Sequence, residues 1–300
     1  MKLTSVITAA LAAAGASANM LKGYSQHRPE KHQVARTARM LQQLTNDHRA
    51  LKNFKFAAPA TAERAERQSV VGGATVSASK IASVTGTFRV PEARQPTRGP
   101  TRNNPITYGA SFWVGIDGIG SCTAATLRAG VDVFWDPEGT SYNAWYQFAD
   151  SRSVDFASPL NAGPGDAVRV TANAGGSSSS TNGTVSVTFE NLSTGLQSTQ
   201  TLDDAAAAGK LCRGQASWLV EDFVLEQSVG MPVPLADFDN VVFSDMAVTA
   251  AGVTGGATPS KVDINTAVVI DMELERQGGK LTDCVLTGAE VVCRRIYGTA

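Results

Sequence analysis

The run Ser111-Phe112-Trp113-Val114-Gly115-Ile116-Asp117-Gly118 carries an apolar side chain at every second position. Phe112, Val114 and Ile116 fall on one side of an extended chain. Ser111, Trp113, Gly115 and Asp117 fall on the other. A period of two, closed by Asp-Gly, predicts a half-buried β-strand ending in a turn. Two later runs repeat the pattern. From Thr126 to Val133, the apolar set is Leu127, Ala129, Val131 and Val133, opposite Thr126, Arg128, Gly130 and Asp132. From Tyr142 to Phe148, Tyr142, Ala144, Tyr146 and Phe148 oppose Asn143, Trp145 and Gln147. Each strand therefore has one face for a core and one polar face. Tryptophans on that second face suit a binding groove, or else pack under loops.

Working outward, short alternating or apolar runs recur at Ala167–Ala172, Thr184–Glu190, Ser217–Leu225, Val241–Ser244 and Ala267–Leu274. Gly, Pro, Asn, Asp and Ser clusters separate them, and no convincing long amphipathic helix intervenes. Residues 69–300, roughly 230 in number, fit one all-β domain. The expected architecture is a β-sandwich of two antiparallel sheets, in the manner of a concanavalin-like jelly-roll.

The N-terminal part reads differently. Lys2, the uncharged run Leu3–Ala14 and the small-x-small triplet Ala16-Ser17-Ala18 predict a signal peptide over residues 1–18. Residues 19–68 hold ten Lys and Arg against four acids, with a helical pattern over Val34–Leu51. Residues 69–300 carry a net charge of about −8. A basic, partly helical segment before an acidic domain reads as a propeptide docked by charge. A secreted, extracellular monomer is expected, with its own propeptide and a protein or peptide as partners and no nucleic acid or membrane among them.

All three histidines, His27, His32 and His48, lie in the propeptide. The mature domain therefore has no imidazole for Ser-His-Asp or Cys-His catalysis. No metal or other cofactor is expected. Cys122, Cys212, Cys284 and Cys293 form an even set, suited to two disulfides in an oxidising compartment. Cys284 and Cys293 are close enough to staple a hairpin, which leaves Cys122 with Cys212. The sequons at Asn182 and Asn191 suit a glycosylated surface hairpin.

Acid-base chemistry thus falls to carboxylates. Glu221-Asp222 interrupts the apolar run Trp218-Leu219-Val220 before it and Phe223-Val224-Leu225 after it. One of the two acids must point inward or into a groove, which makes the pair a functional candidate.

From Val71-Gly72-Gly73-Ala74 to its C-terminus the chain resembles the glutamic peptidases, or eqolisins, a family of secreted acid endopeptidases. The motifs that carry the likeness are Phe112–Gly118, Leu127–Asp132, Asn143-Ala144-Trp145-Tyr146, Glu190-Asn191-Leu192-Ser193-Thr194-Gly195 and Trp218–Phe223. The resemblance implies a glutamate acting as general base on water and a glutamine amide that stabilises the oxyanion. The glutamate position is Glu221. The glutamine position, two before Gly130, holds Arg128. A neighbouring position, usually Glu in the family, is Gln147, a candidate substitute amide. Trp113 keeps the tryptophan of the first motif, while Val71 replaces one often found before the Gly-Gly pair. Trp113, Asp117, Asp132 and Trp145 are the candidate substrate contacts.

Arg128 divides the functional reading. A guanidinium facing Glu221 would form an ion pair and weaken the base. It could instead replace the amide as oxyanion donor. Contact near 3 Å would indicate a salt bridge and favour inactivity, and a gap for one water would favour catalysis.

Overall fold

Alternation of apolar and polar side chains organises two stacked sheets. The computed structural model describes residues 70–96, 108–120, 122–123, 125–149, 151, 153–156, 160–175, 185–202, 210–222, 234–251, 259–274 and 279–297. The expected signal peptide, the expected propeptide and the Asn182 sequon lie outside the described residues.

In chain order the strands begin with β1 (Val71–Ser77), β2 (Ile81–Arg89), β3 (Tyr108–Asp117), β4 (Thr126–Asp136), β5 (Gly139–Ala149) and β6 (Val154–Asp155). There follow β7 (Ala167–Asn173), β8 (Val185–Asn191), β9 (Leu196–Leu202), β10 (Gln215–Glu221) and β11 (Asn240–Ala250). The last are β12 (Ser260–Lys261), β13 (Val268–Ile270), β14 (Glu273–Leu274), β15 (Gly279–Lys280), β16 (Thr282–Thr287) and β17 (Glu290–Arg295). One sheet has the order β13-β1-β10-β3-β4-β5-β6 and the other β16-β17-β11-β2-β7-β8-β9, with β12 beside β11. Neighbouring strands run antiparallel throughout. The fold is an all-β sandwich.

The inward faces match the period-two reading. Phe112, Val114 and Ile116 of β3 meet Leu127, Ala129, Val131 and Val133 of β4 in one core. Val168, Val170, Val187 and Phe189 join it from the second sheet. Trp218 is fully buried and donates from Nε1 to Thr85 O at 2.9 Å. Gly86 makes room for that indole: a Cβ there would stand 2.5 Å from Trp218 Cδ1. Each buried aromatic or large aliphatic side chain contributes about 1.5–3 kcal/mol.

Cys122–Cys212 ties the loop after β3 to the segment before β10, spanning 90 residues. Cys284–Cys293 joins registered partners on β16 and β17. The sequon reading at Asn191 is overturned. Asn191 is fully buried, and its Nδ2 donates to Leu160 O at 3.1 Å and Asp166 Oδ2 at 3.0 Å. A glycan on that nitrogen has no room in the folded domain.

Candidate active site

The outward face of the first sheet is a lattice fixed by register. One row across the strands reads Val71, Glu221, Ser111, Asp132, Asn143. The next reads Gly73, Leu219, Trp113, Gly130, Trp145, Asp155. A third reads Thr75, Ser217, Gly115, Arg128, Gln147. Glu221 ends β10 and points into this face, whereas Asp222 is buried.

Arg128 and Glu221 thus sit two strands and two rows apart. The arginine spans the diagonal by lying flat over the floor. Its guanidinium carbon stands 4.6 Å from the Trp113 ring centroid and 5.4 Å from that of Trp145. Glycines permit this course. A Cβ at Gly115 would meet Arg128 Cβ at 2.4 Å, and one at Gly130 would meet Trp113 Cβ at 2.7 Å. Arg128 Nη1 then donates to Glu221 Oε2 at 2.7 Å. Trp113 Nε1 donates to the same oxygen, also at 2.7 Å. Among the described residues no hydrogen bond falls on Glu221 Oε1. The Glu221 side chain keeps 22% of its surface exposed.

Gln147 takes up another Arg128 donor: Nε gives to Gln147 Oε1 at 2.8 Å. Gln147 Nε2 gives to Ser151 O at 2.7 Å. An arginine can only donate and a carbonyl can only accept, so this amide orientation is forced. The amide donor of Gln147 is turned away from Glu221, and the expectation that it substitutes for the missing glutamine does not hold in this arrangement.

Asp117 also departs from expectation. It is fully buried, with φ +60° at the end of β3. Its carboxylate accepts from the backbone N–H groups of Arg213 at 2.7 Å, Gly214 at 2.9 Å and Gln215 at 3.2 Å. It anchors the entry to β10 and cannot contact a substrate. Trp113 and Trp145 are 0% and 4% exposed, packed with Val71 and Leu219. They support the groove floor beneath Arg128 and offer no open face for stacking. Asp117 approaches Cys122 and Cys212 closely enough for a metal site. The two sulfurs are joined to each other, so neither offers a thiolate.

Asp132 has intermediate exposure, between Ser111 and Asn143 in its row. Burial pushes its carboxyl up to about 7. Interactions with Ser111 and Trp145 offset this in part, and the charges of Glu221 and Asp155 add to the rise. Ser111 Oγ and Trp145 Nε1 are buried and make no hydrogen bond of normal length. Both lie on strands flanking Asp132. The sequence places Ser111 on the groove face, two residues before Trp113, without marking it out as a site residue.

Glu221, Trp113 and Arg128 thus share the outward face of one sheet of the sandwich. The chain belongs to the Peptidase A4 family, which matches residues 69–295. It is 34% identical over 230 residues to Aspergillopepsin-2 of Aspergillus niger, covering 73% of this chain and 74% of that protein. It is 32% identical over 236 residues to Scytalidopepsin B of Scytalidium lignicola, covering 77% and 80%. Among solved structures, scytalido-glutamic peptidase with a transition state analog inhibitor is similar at a TM-score of 0.60 and 29% identity, over 76% of this chain and 98% of that one. Aspergilloglutamic peptidase from Aspergillus niger gives 0.51 and 35%, over 63% and 99%. At the level of the family, the function is that of an acid endopeptidase.

Proposed function

We propose that this chain is a secreted acid endopeptidase with a modified and weakened dyad, Glu221 as general base and Arg128 as oxyanion donor. One observation carries the reading: the guanidinium and the Trp113 indole both hold Oε2, and Oε1 is left toward the groove. A water on Oε1 would give up a proton to Glu221 as its oxygen attacks the peptide carbonyl. The carbonyl oxygen, gaining charge, would meet the remaining N–H donors of Arg128. A donor so placed contributes about 10²–10³ in kcat. The contact with Arg128 occupies Oε2 and places a charged, five-donor group where the family's amide is expected. The two disulfides suit secretion, and the basic segment over residues 19–68 would act as an acid-released propeptide.

A second reading has the 2.7 Å ion pair in its favour: a non-catalytic member that binds peptide or glycan in the groove. Incubating the secreted protein with denatured protein at about pH 2–5, beside Glu221→Gln, separates the two. The proposal expects slow cleavage by the parent and none by the variant. Equal inertness of both leaves the binding reading.

A further inference from the structure

We propose that the groove recognises the free C-terminal carboxylate of a peptide, held by the open N–H groups of Arg128, so that the N-terminal fragment of each cleavage is retained as an inhibitor. The inference rests on the peptidase reading of the Glu221–Arg128 site and names the ligand that this arginine selects.

The donors carry it. A guanidinium has five N–H groups and no acceptor. Among the described residues two are engaged, Nε with Gln147 Oε1 at 2.8 Å and Nη1 with Glu221 Oε2 at 2.7 Å. The second N–H of Nη1 and both of Nη2 make no hydrogen bond among the described residues. The group is also held in place before any ligand arrives. Gln147 is itself fixed through Nε2, which donates to Ser151 O at 2.7 Å. The guanidinium lies over the Trp113 and Trp145 indoles, with centroids at 4.6 Å and 5.4 Å. Both indoles are buried, whereas the Arg128 side chain keeps 19% of its surface exposed. A ligand in the groove therefore meets the guanidinium and not the rings. A planar fork fixed in this way binds a carboxylate at small cost in entropy.

The neighbouring charges leave room for an anion in acid. Glu221 is the carboxylate in contact with Arg128. Asp132, beside Ser111 in the Glu221 row, has its carboxyl pushed up to about 7 by burial and is neutral well below that pH. Asp155, across from Trp145, accepts from Asn143 Nδ2 at 2.6 Å. A peptide α-carboxyl titrates at about 3.5, so it is ionised at about pH 4.5.

The reaction decides which carboxylate arrives. Hydrolysis bonds the water oxygen to the carbonyl carbon and breaks the C–N bond. The N-terminal fragment leaves with a carboxyl group and the other fragment with an amine. The carbonyl oxygen that meets Arg128 during the reaction becomes one oxygen of that carboxylate. A neutral amide in the place of Arg128 would hold the same oxygen without a charge. The guanidinium adds a charge-assisted bond that strengthens as the product forms.

Tryptophan fluorescence of the secreted protein at about pH 4.5 tests the assignment without requiring turnover. The probes are an N-acetylated tripeptide with a free C-terminus, its C-terminal amide, the same amide carrying an internal glutamate, and inorganic phosphate. The free acid should bind about tenfold or more tightly than its amide, and ahead of the other two probes. Arg128→Gln should bring acid and amide to within about threefold of each other, with the amide bound as in the parent. Equal affinity for acid and amide in the parent overturns the assignment, as does a preference that survives in Arg128→Gln. A glutamate-bearing amide or phosphate that binds as tightly as the free acid marks a general anion site and overturns it too. In a parent that cleaves peptides, the free acid should inhibit competitively and its amide should not. A carboxylate preference in a parent without turnover upholds the assignment and removes the peptidase reading alone.

Discussion

Arg128 Nη1 and Trp113 Nε1 both donate to Glu221 Oε2, each at 2.7 Å. The cation reaches this oxygen from two strands away, over the indole that shares it. The carboxylate is thereby fixed on one side, and among the described residues no hydrogen bond falls on its other oxygen.

Trp113→Phe removes the indole N–H and keeps a ring under Arg128. A hydrogen bond to a charged group is worth about 1.5–3 kcal/mol. Steady-state kinetics at about pH 4 should show kcat lowered by about 10- to 100-fold, with KM within about twofold. A rise in KM alone would make Trp113 a substrate contact, against its burial.

Asp132 makes stability depend on pH with an unusual sign. Its folded carboxyl is raised to about 7 from an ordinary 3.8, so the folded state holds the proton more tightly. Its contribution is present in full below about pH 4 and is lost as pH rises through about 7. The full swing is of order 4 kcal/mol at most. Urea melts at pH 4, 5.5, 7 and 8 should show this decline in the parent and a flatter profile in Asp132→Asn. Parallel profiles would show that Asp132 is not crowded as described.

Asp117→Asn should cost stability and spare the chemistry. The carboxylate holds three backbone N–H groups at the entry to β10. Asparagine keeps one acceptor oxygen, so a loss of about 2–4 kcal/mol is expected in thermal or urea unfolding. The folded fraction should retain the KM of the parent. A selective change in KM without loss of stability would restore the substrate-contact reading.

Much of the fold was legible because parity along a strand is local. Phe112, Val114, Leu127 and Val131 needed only a period of two to be placed inward. The same parity sets Asn191 beside Val187 and Phe189, so its burial was available to a reader who put periodicity before the sequon. The site was harder. Glu221 and Arg128 stand out by resemblance, but their contact depends on register across β10, β3 and β4 and on the two glycines that let an arginine lie flat. Asp117 has the parity of Trp113, yet its partners at residues 213–215 fold over it from nearly a hundred positions away. The crowding of Asp132 needs Ser111 and Trp145 from both flanking strands, which no single stretch reveals.

The claim that Glu221 and Arg128 work as a dyad is tested most directly by kcat at about pH 3–4 on one peptide, for the parent, Arg128→Gln and Arg128→Ala. The account predicts Arg128→Gln about tenfold or more above the parent, because an amide releases Glu221 Oε2 from the ion pair while still donating to the oxyanion. It predicts Arg128→Ala about 10²-fold below the parent, because the oxyanion loses its donor. An alanine variant as fast as the parent, or faster, would contradict it.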